Sequence, residues 1–312
     1  MPVALRELKE VMGKRKAFII TDKKSYHSGS IAPVEKLLDE MNIQHTAFFD
    51  INDEITIGTV ASGAKAAQLF EPDVIIAVGG GNVMNAAKLI RVLYEVPGAD
   101  IAELSDRFGD IRRRGELFPR TNVKAALVTV PTSSGAGEEV TPYAWASYGE
   151  KKFVVADYEI MPEFVVIDSD YMISQTREEI AHSAKKAIAH LFIAYTDENA
   201  TEYTDGFAMK AFENIVRYLP GYIENAENDP AGCEKLAQAS AMSGIAYANT
   251  VFSTEDASSV AEIAERIEAS AENESAARRY RELANAAGIS GSDDKDTALK
   301  LADRIRELTG IA

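Results

Sequence analysis

Glu71-Pro-Asp-Val-Ile-Ile-Ala-Val-Gly-Gly-Gly-Asn-Val-Met-Asn-Ala-Ala-Lys88 is the stretch from which the fold is read. Residues 73–78 form a short apolar run, partly β-branched, which predicts a strand buried on both faces. Gly79, Gly80 and Gly81 follow directly, and Asn82 is a good N-cap for a helix over 83–94. Glycines between a strand and a helix let backbone N–H groups approach a ligand closely. The helix start adds unpaired donors and a partial positive charge, which suits a pyrophosphate. The same kind of turn also serves simply to pack a helix tightly on a sheet, so this stretch alone leaves both readings open.

On the N-terminal side of that stretch, residues 2–12 predict a helix and 16–21 a strand ending at Thr21-Asp22. Residues 30–41 carry Ile31, Val34, Leu37, Leu38 and Met41 at helical spacing. A second strand over 44–49 and a helix over 57–70 complete the alternation. Strands alternating with helices in this way predict a doubly wound, mainly parallel sheet that binds ligands at the carboxyl ends of its strands. On the C-terminal side, 100–120 is a charged connection containing Arg112-Arg-Arg114, expected to be a solvated loop or short helix rather than a phosphate clamp. Residues 124–130 predict another buried strand, which runs into Pro131-Thr-Ser-Ser-Gly-Ala-Gly-Glu-Glu-Val-Thr-Pro142. A hairpin over 143–147 and 152–155, and a strand over 164–168, follow.

Strand signals end near Asp170. Residues 177–195, 205–225, 231–248, 258–272, 277–287 and 296–308 predict helices, with a polar linker around Gly291-Ser-Asp-Asp294. The expected organisation is an α/β domain over 1–172 followed by an all-helical domain over 173–312. The chain has 312 residues and a formal charge of −16, which argues against nucleic acid or an anionic membrane as partner. Its only cysteine, Cys233, excludes an intrachain disulfide and reads as a small apolar filler. With no membrane-length apolar run and no signal-peptide pattern, the expected location is the cytoplasm.

Taken together, these motifs make the chain similar to the iron-containing alcohol dehydrogenases, and most to the alcohol dehydrogenase half of bifunctional aldehyde-alcohol dehydrogenases. Pro2-Val-Ala-Leu-Arg-Glu-Leu-Lys-Glu-Val-Met-Gly13 resembles the start of that half. The glycine stretch resembles the family's GGGSxxDxAK, and residues 131–142 resemble its PTSAGTGSEVTP loop. Ala156-Asp-Tyr-Glu-Ile-Met-Pro162 and Tyr203-Thr-Asp205 match further landmarks. The resemblance implies a dehydroquinate-synthase-like fold, NAD as cofactor, and a divalent metal (iron or zinc) held by an aspartate and three histidines. By resemblance, Asp22 would take the adenosine ribose and favour NAD over NADP, although Asp22 also reads as a turn cap. Gly79, Gly80, Gly81 and Asn82 would face the pyrophosphate, Thr132 and Ser133 the nucleotide, and Lys152 the nicotinamide ribose.

The family pattern is broken at particular positions. Asn82 replaces a serine, Asn85 an aspartate, Ala136 a threonine and Glu138 a serine. A carboxylate at Glu138 weakens phosphate binding unless it turns outward. In the metal set, Lys186 stands at the aspartate position and His190 is the one ligand kept. An ammonium cannot coordinate a divalent cation. The glycine- and histidine-rich stretch that carries the other two ligands is replaced by residues 250–276, which contain no histidine. His27, His45, His182 and His190 are the only histidines, and His182 lies about two turns from His190. The family's first strand and closing helices are also expected to be missing.

The expected protein is therefore a degenerate homologue without a metal, with weak NAD(H) binding and a role as a binding or assembly module. A nucleotide, and a homo-oligomer or family-related protein, would be its partners. The alternative is an active NAD-dependent alcohol dehydrogenase on short primary alcohols. Lys186 either snorkels to solvent or pairs with Glu262, Glu265 or Glu268 on a helix covering the old metal position.

Overall fold

The computed structural model describes residues 2–111, 116–135, 137–172, 175–250 and 260–310. Arg112-Arg-Arg114, Ala136 and the start of the helix expected over 258–272 lie outside the described residues. The chain divides into two compact units. The first comprises Met1–Thr132 and Glu138–Tyr171, and the second Ser133–Gly137, Met172–Val251 and Glu255–Ala312.

In the first unit the chain runs α1 (Pro2–Glu10), β1 (Lys16–Asp22), α2 (Lys23–His27), α3 (Ala32–Glu40), β2 (Gln44–Ile51), α4 (Ile57–Phe70), β3 (Val74–Gly79) and α5 (Gly81–Glu95). It continues through α6 (Ile101–Phe108), β4 (Ala126–Pro131), the hairpin β5 (Tyr143–Tyr148) and β6 (Lys151–Ala156), and β7 (Phe164–Val165). The five-stranded sheet has the order β2-β1-β3-β4-β7, and every pairing in it is parallel. Alternation along β1 shows how it is wound. Ala17 and Ile19 pack with Leu5, Leu8, Val34 and Leu38, whereas Phe18 and Ile20 pack with Val60, Ala64, Ile90 and Met84. Both faces are thus covered by helices, which is why β1, β3 and β4 read as continuous apolar runs.

In this sheet β1 is followed in space by β2 on one side and β3 on the other, so the winding reverses between β1 and β3. A crevice at the carboxyl ends of those strands is where such sheets take ligands. Thr21 Oγ1 donates to the Val78 carbonyl at 2.7 Å, joining the two strand ends there.

The charged connection, read as a solvated loop or short helix, contains a short helix, α6, because Asp100 caps it through Oδ1 at Ala102 N and Glu103 N (2.8 and 3.0 Å). Other local expectations are corrected. The last strand is only two residues long. A short helix, α2, follows β1 and was not expected, since none of its residues is buried and it leaves no apolar pattern.

The second unit contains α7 (Arg177–Thr196), α8 (Glu202–Asn225), α9 (Pro230–Ala248), α10 (Val260–Ser270), α11 (Glu274–Ala286) and α12 (Asp294–Thr309). Thr176 and Glu179 form a reciprocal capping box that starts α7. Arg279 on α11 grips Asp205 on α8 at 2.7 and 2.6 Å and lies over the Tyr195 ring. The segment around Gly291 is an ordered turn rather than a linker. Gly291 N donates to Thr297 Oγ1 and Ser292 N to Asp296 Oδ2 (2.9 and 2.7 Å). Among the described residues no helix is long and apolar enough to cross a membrane.

Candidate functional site

The carboxyl edge of the sheet gathers most of the residues singled out from the sequence. Asp22 ends β1, Gly79 ends β3 and Thr132 follows β4, and these three strands are neighbours. Gly79 is required by packing, because a Cβ there would fall 2.5 Å from Val83 Cγ2. Thr132 N donates to the Gly79 carbonyl at 3.0 Å, which ties the two loops together.

The helix begins earlier than expected. Gly80 is its N-cap, with extended backbone, and Gly81 is its first residue. Asn82 is therefore not the cap. It sits in the first turn, and its Nδ2 donates to the Asp53 carbonyl at 2.7 Å. Asn85, at the family's aspartate position, is buried and donates back to the Gly81 carbonyl at 3.0 Å.

Asp22 caps α2. Oδ1 accepts from Ser25 N and Oδ2 from Ser25 Oγ, both at 2.8 Å. Lys152 is exposed on β6 with its ammonium 4.7 Å from the centre of the Trp145 ring. Ser133 is grouped with the second unit and Thr132 with the first.

Lys88 is the residue that the sequence reading named without giving it a task. It is fully buried on α5, and its ammonium donates to the carbonyls of Glu138, Thr141 and Tyr143 at 2.7, 2.8 and 2.8 Å. Thr141 Oγ1 lies 3.1 Å away as a further acceptor. A lysine inside the apolar run Ala86-Ala87-Lys88-Leu89-Ile90 was the available signal. Burial pulls its pKa down to about 7, against the neighbouring Glu138 and Glu139 charges, which raise it. Burial likewise pushes the buried Glu139 carboxyl up to about 7. Arg91, one turn further along, is also buried. It holds Glu163 at 2.7 Å and the carbonyls of Glu159 and Met161 at 2.8 and 2.9 Å.

The tie to Lys88 fixes where Glu138 begins, and its side chain reaches back to the glycine turn. A Cβ built on Gly81 would fall 2.8, 2.8 and 2.9 Å from Glu138 Cδ, Oε1 and Oε2. The carboxylate therefore lies flat over the Cα of the first residue of α5, in the space that a side chain at 81 would take. It has not turned outward.

The second unit carries the family's metal positions. Lys186 is exposed and makes no ion pair among the described residues. Its expected pairing with a glutamate of α10 is corrected: Glu268 is bound to Arg306 on α12, and α10 packs on α12 and on the end of α7 near Phe192 and Thr196. The apolar stripe of Ile263 and Ile267 draws α10 there. The His190 ring stacks on Tyr247, with centroids 4.2 Å apart and planes 14° from parallel. His182 is exposed. Among the described residues no three His, Cys, Asp or Glu side chains lie together in a way that could hold a metal ion.

A parallel, doubly wound sheet with a glycine turn at its carboxyl edge, followed by an all-helical region, defines an α/β protein with a helical C-terminal part. The chain belongs to the iron-containing alcohol dehydrogenase family, whose pattern it matches over residues 2–169, with the family's C-terminal pattern over 180–257. It is 37% identical over 248 residues to an aldehyde-alcohol dehydrogenase of Clostridium acetobutylicum. That match covers 79% of this chain and spans 29% of the relative's length. The fold is that of the iron-containing alcohol dehydrogenase of Thermococcus thioreducens, with a TM-score of 0.84 at 22% identity over 100% of this chain and 82% of that one. Sulfoacetaldehyde reductase from Bifidobacterium kashiwanohense, solved in complex with NAD+, matches with a TM-score of 0.77 at 18% identity, over 100% of this chain and 82% of that one.

Proposed function

We propose that this chain is a family member without the metal-dependent chemistry, which binds an NAD-type dinucleotide weakly and acts as a binding or assembly module. The observation that carries this reading is the donor set of α7. Lys186 is a solvent-facing cation at the aspartate position, and His190 is committed to a ring stack. With two of the chain's four histidines outside the second unit, the residues present do not fit a divalent ion bound by an aspartate and three histidines. No step of hydride transfer is therefore routed through a metal here.

The glycine turn is what supports dinucleotide binding. Its N–H groups and the α5 N-terminus sit at the winding reversal, beside Asp22 and Thr132. Asp22 would accept from ribose hydroxyls with its remaining lone pairs and repel a 2′-phosphate. Lys152 and Ser133 are assigned to the nucleotide by resemblance alone.

Elemental analysis of dialysed protein together with calorimetry against NADH and NADPH tests the reading. The expected result is no stoichiometric iron or zinc, and NADH binding near roughly 1 mM that exceeds NADPH binding. About one metal per chain, with metal-dependent oxidation of ethanol, would establish instead an active alcohol dehydrogenase on short primary alcohols.

A further inference from the structure

We propose that the Glu138 carboxylate is a built-in occupant of the phosphate seat at the start of α5, and that it sets the weak dinucleotide affinity of this chain. The inference rests on the nucleotide-binding reading above and adds the residue that limits it.

Three observations support it. The carboxylate lies face-on to Gly81, with Cδ and both oxygens all within 2.9 Å of where a Cβ would stand. Space that a glycine leaves for a ligand is thus filled from within the same unit. Secondly, the backbone of Glu138 is not free to withdraw, because Lys88, seven residues along the same helix as Gly81, holds its carbonyl at 2.7 Å. The seat and its occupant share one frame. Thirdly, among the described residues the Glu138 side chain has no hydrogen-bonding or ion-pairing partner of its own. What favours its position is the positive end of α5, the same feature that would favour a phosphate.

A pyrophosphate entering the turn meets a like charge at close range and must displace a group already stabilised there. Both effects act against every ligand that carries a phosphate at this position, whatever its base or sugar. They do not act on adenosine, which has no phosphate.

The test compares the parent chain with Glu138→Gln and Glu138→Ser. The first keeps the shape and removes the charge, and the second removes both. Calorimetry uses NADH, ADP-ribose and adenosine, and thermal shift uses inorganic pyrophosphate. Circular dichroism and melting temperature confirm that the variants fold. Both variants should bind NADH and ADP-ribose at least about tenfold more tightly than the parent, with adenosine unchanged, and pyrophosphate should stabilise the variants only.

Equal NADH affinity in parent and variants would overturn the inference and leave weak dinucleotide binding intact. A parent that binds NADH as tightly as its variants at micromolar concentration would overturn the inference and the weak-binding reading together. If the variants gain pyrophosphate binding while none binds NADH, the seat is confirmed and the dinucleotide reading falls. If neither pyrophosphate nor NADH binds any variant, both fall.

Discussion

Lys88 and Lys186 each sit on a helix next to a family motif, and only the first is built into the protein. Lys88 is fully buried, with three carbonyls within 2.8 Å of its ammonium, and it joins α5 to the loop after β4. Lys186 stands exposed on α7, with no ion pair among the described residues. The same side chain therefore marks two kinds of region. At the sheet edge the framework that shapes the glycine turn is intact, and the departure lies in what fills it. On α7, in the reading proposed above, the ligand set itself has gone, and a lysine costs nothing at 186 because the chain presents it to water. A framework is protected by its buried polar ties, whose loss destabilises the fold. Exposed ligands are tied only to their metal, so they can be lost without loss of structure.

The sharpest way to break the contrast is to cut the Lys88 tie. Lys88→Met keeps the volume but strands three buried carbonyls, and should cost about 4 kcal/mol in urea unfolding. A loss of less than about 1 kcal/mol would mean that water or neighbouring donors take over those carbonyls, and that the loop is not held by Lys88.

Titration sharpens the same comparison, since the first region contains buried groups whose pKa values are brought near neutrality. Glu139 has its pKa raised from 4.5 to about 7, so the folded state holds a proton that the unfolded state has lost. Its contribution is fully present below pH 4.5 and lost as pH rises to about 7. Relative to Glu139→Gln, the parent should lose up to roughly 3 kcal/mol across that window. Lys88 is shifted the other way, from 10.5 to about 7, so its contribution is present above pH 10.5 and lost as pH falls to about 7. Stability curves of the parent and Glu139→Gln that run parallel from pH 4.5 to 7 would show that Glu139 titrates as an ordinary carboxyl.

Within the helical unit, the Arg279–Asp205 grip is the nearest counterpart to the Lys88 tie, but it is only part-buried. Asp205→Ala frees a guanidinium that also donates to the Tyr195 carbonyl at 2.7 Å. The expected loss is about 2 kcal/mol by chemical denaturation, smaller at high salt. A salt-independent loss would assign the effect to packing of Arg279 on the Tyr195 ring instead.

The sequence carried the sheet plainly, because strands covered on both faces must be apolar throughout, as 73–78 and 124–130 are. The glycine turn was equally legible from composition. What it holds was not, because the place of Glu138 depends on a loop folded back onto α5 through Lys88, and no local pattern encodes that return. The start of α5 was misplaced by the appeal of Asn82 as a cap, when Gly80 takes that position and Asn82 bonds to Asp53. On α7 the limit was different. Alanines surround most of the helix, so the apolar pattern is nearly uniform and does not say whether Lys186 points inward or out. The proposed glutamate partner failed because α10 follows its isoleucines, and its Glu268 already had Arg306.

The smallest expected effect is at Lys186 itself. If α7 lost its ligands without structural consequence, then Lys186→Asp, which restores the family's residue, should change stability by no more than about 0.5 kcal/mol. It should also leave the purified protein without stoichiometric iron or zinc. An aspartate at 186 and His190 on the following turn would supply two donors, and the second unit has no further histidine except exposed His182. Two donors on one helix face do not complete a tetrahedral site. The measurement is elemental analysis beside a urea melt with and without added zinc. A zinc-dependent rise in stability of Lys186→Asp, absent in the parent, would show that one substitution rebuilds the site, and that the α7 region is as intact a framework as the sheet edge.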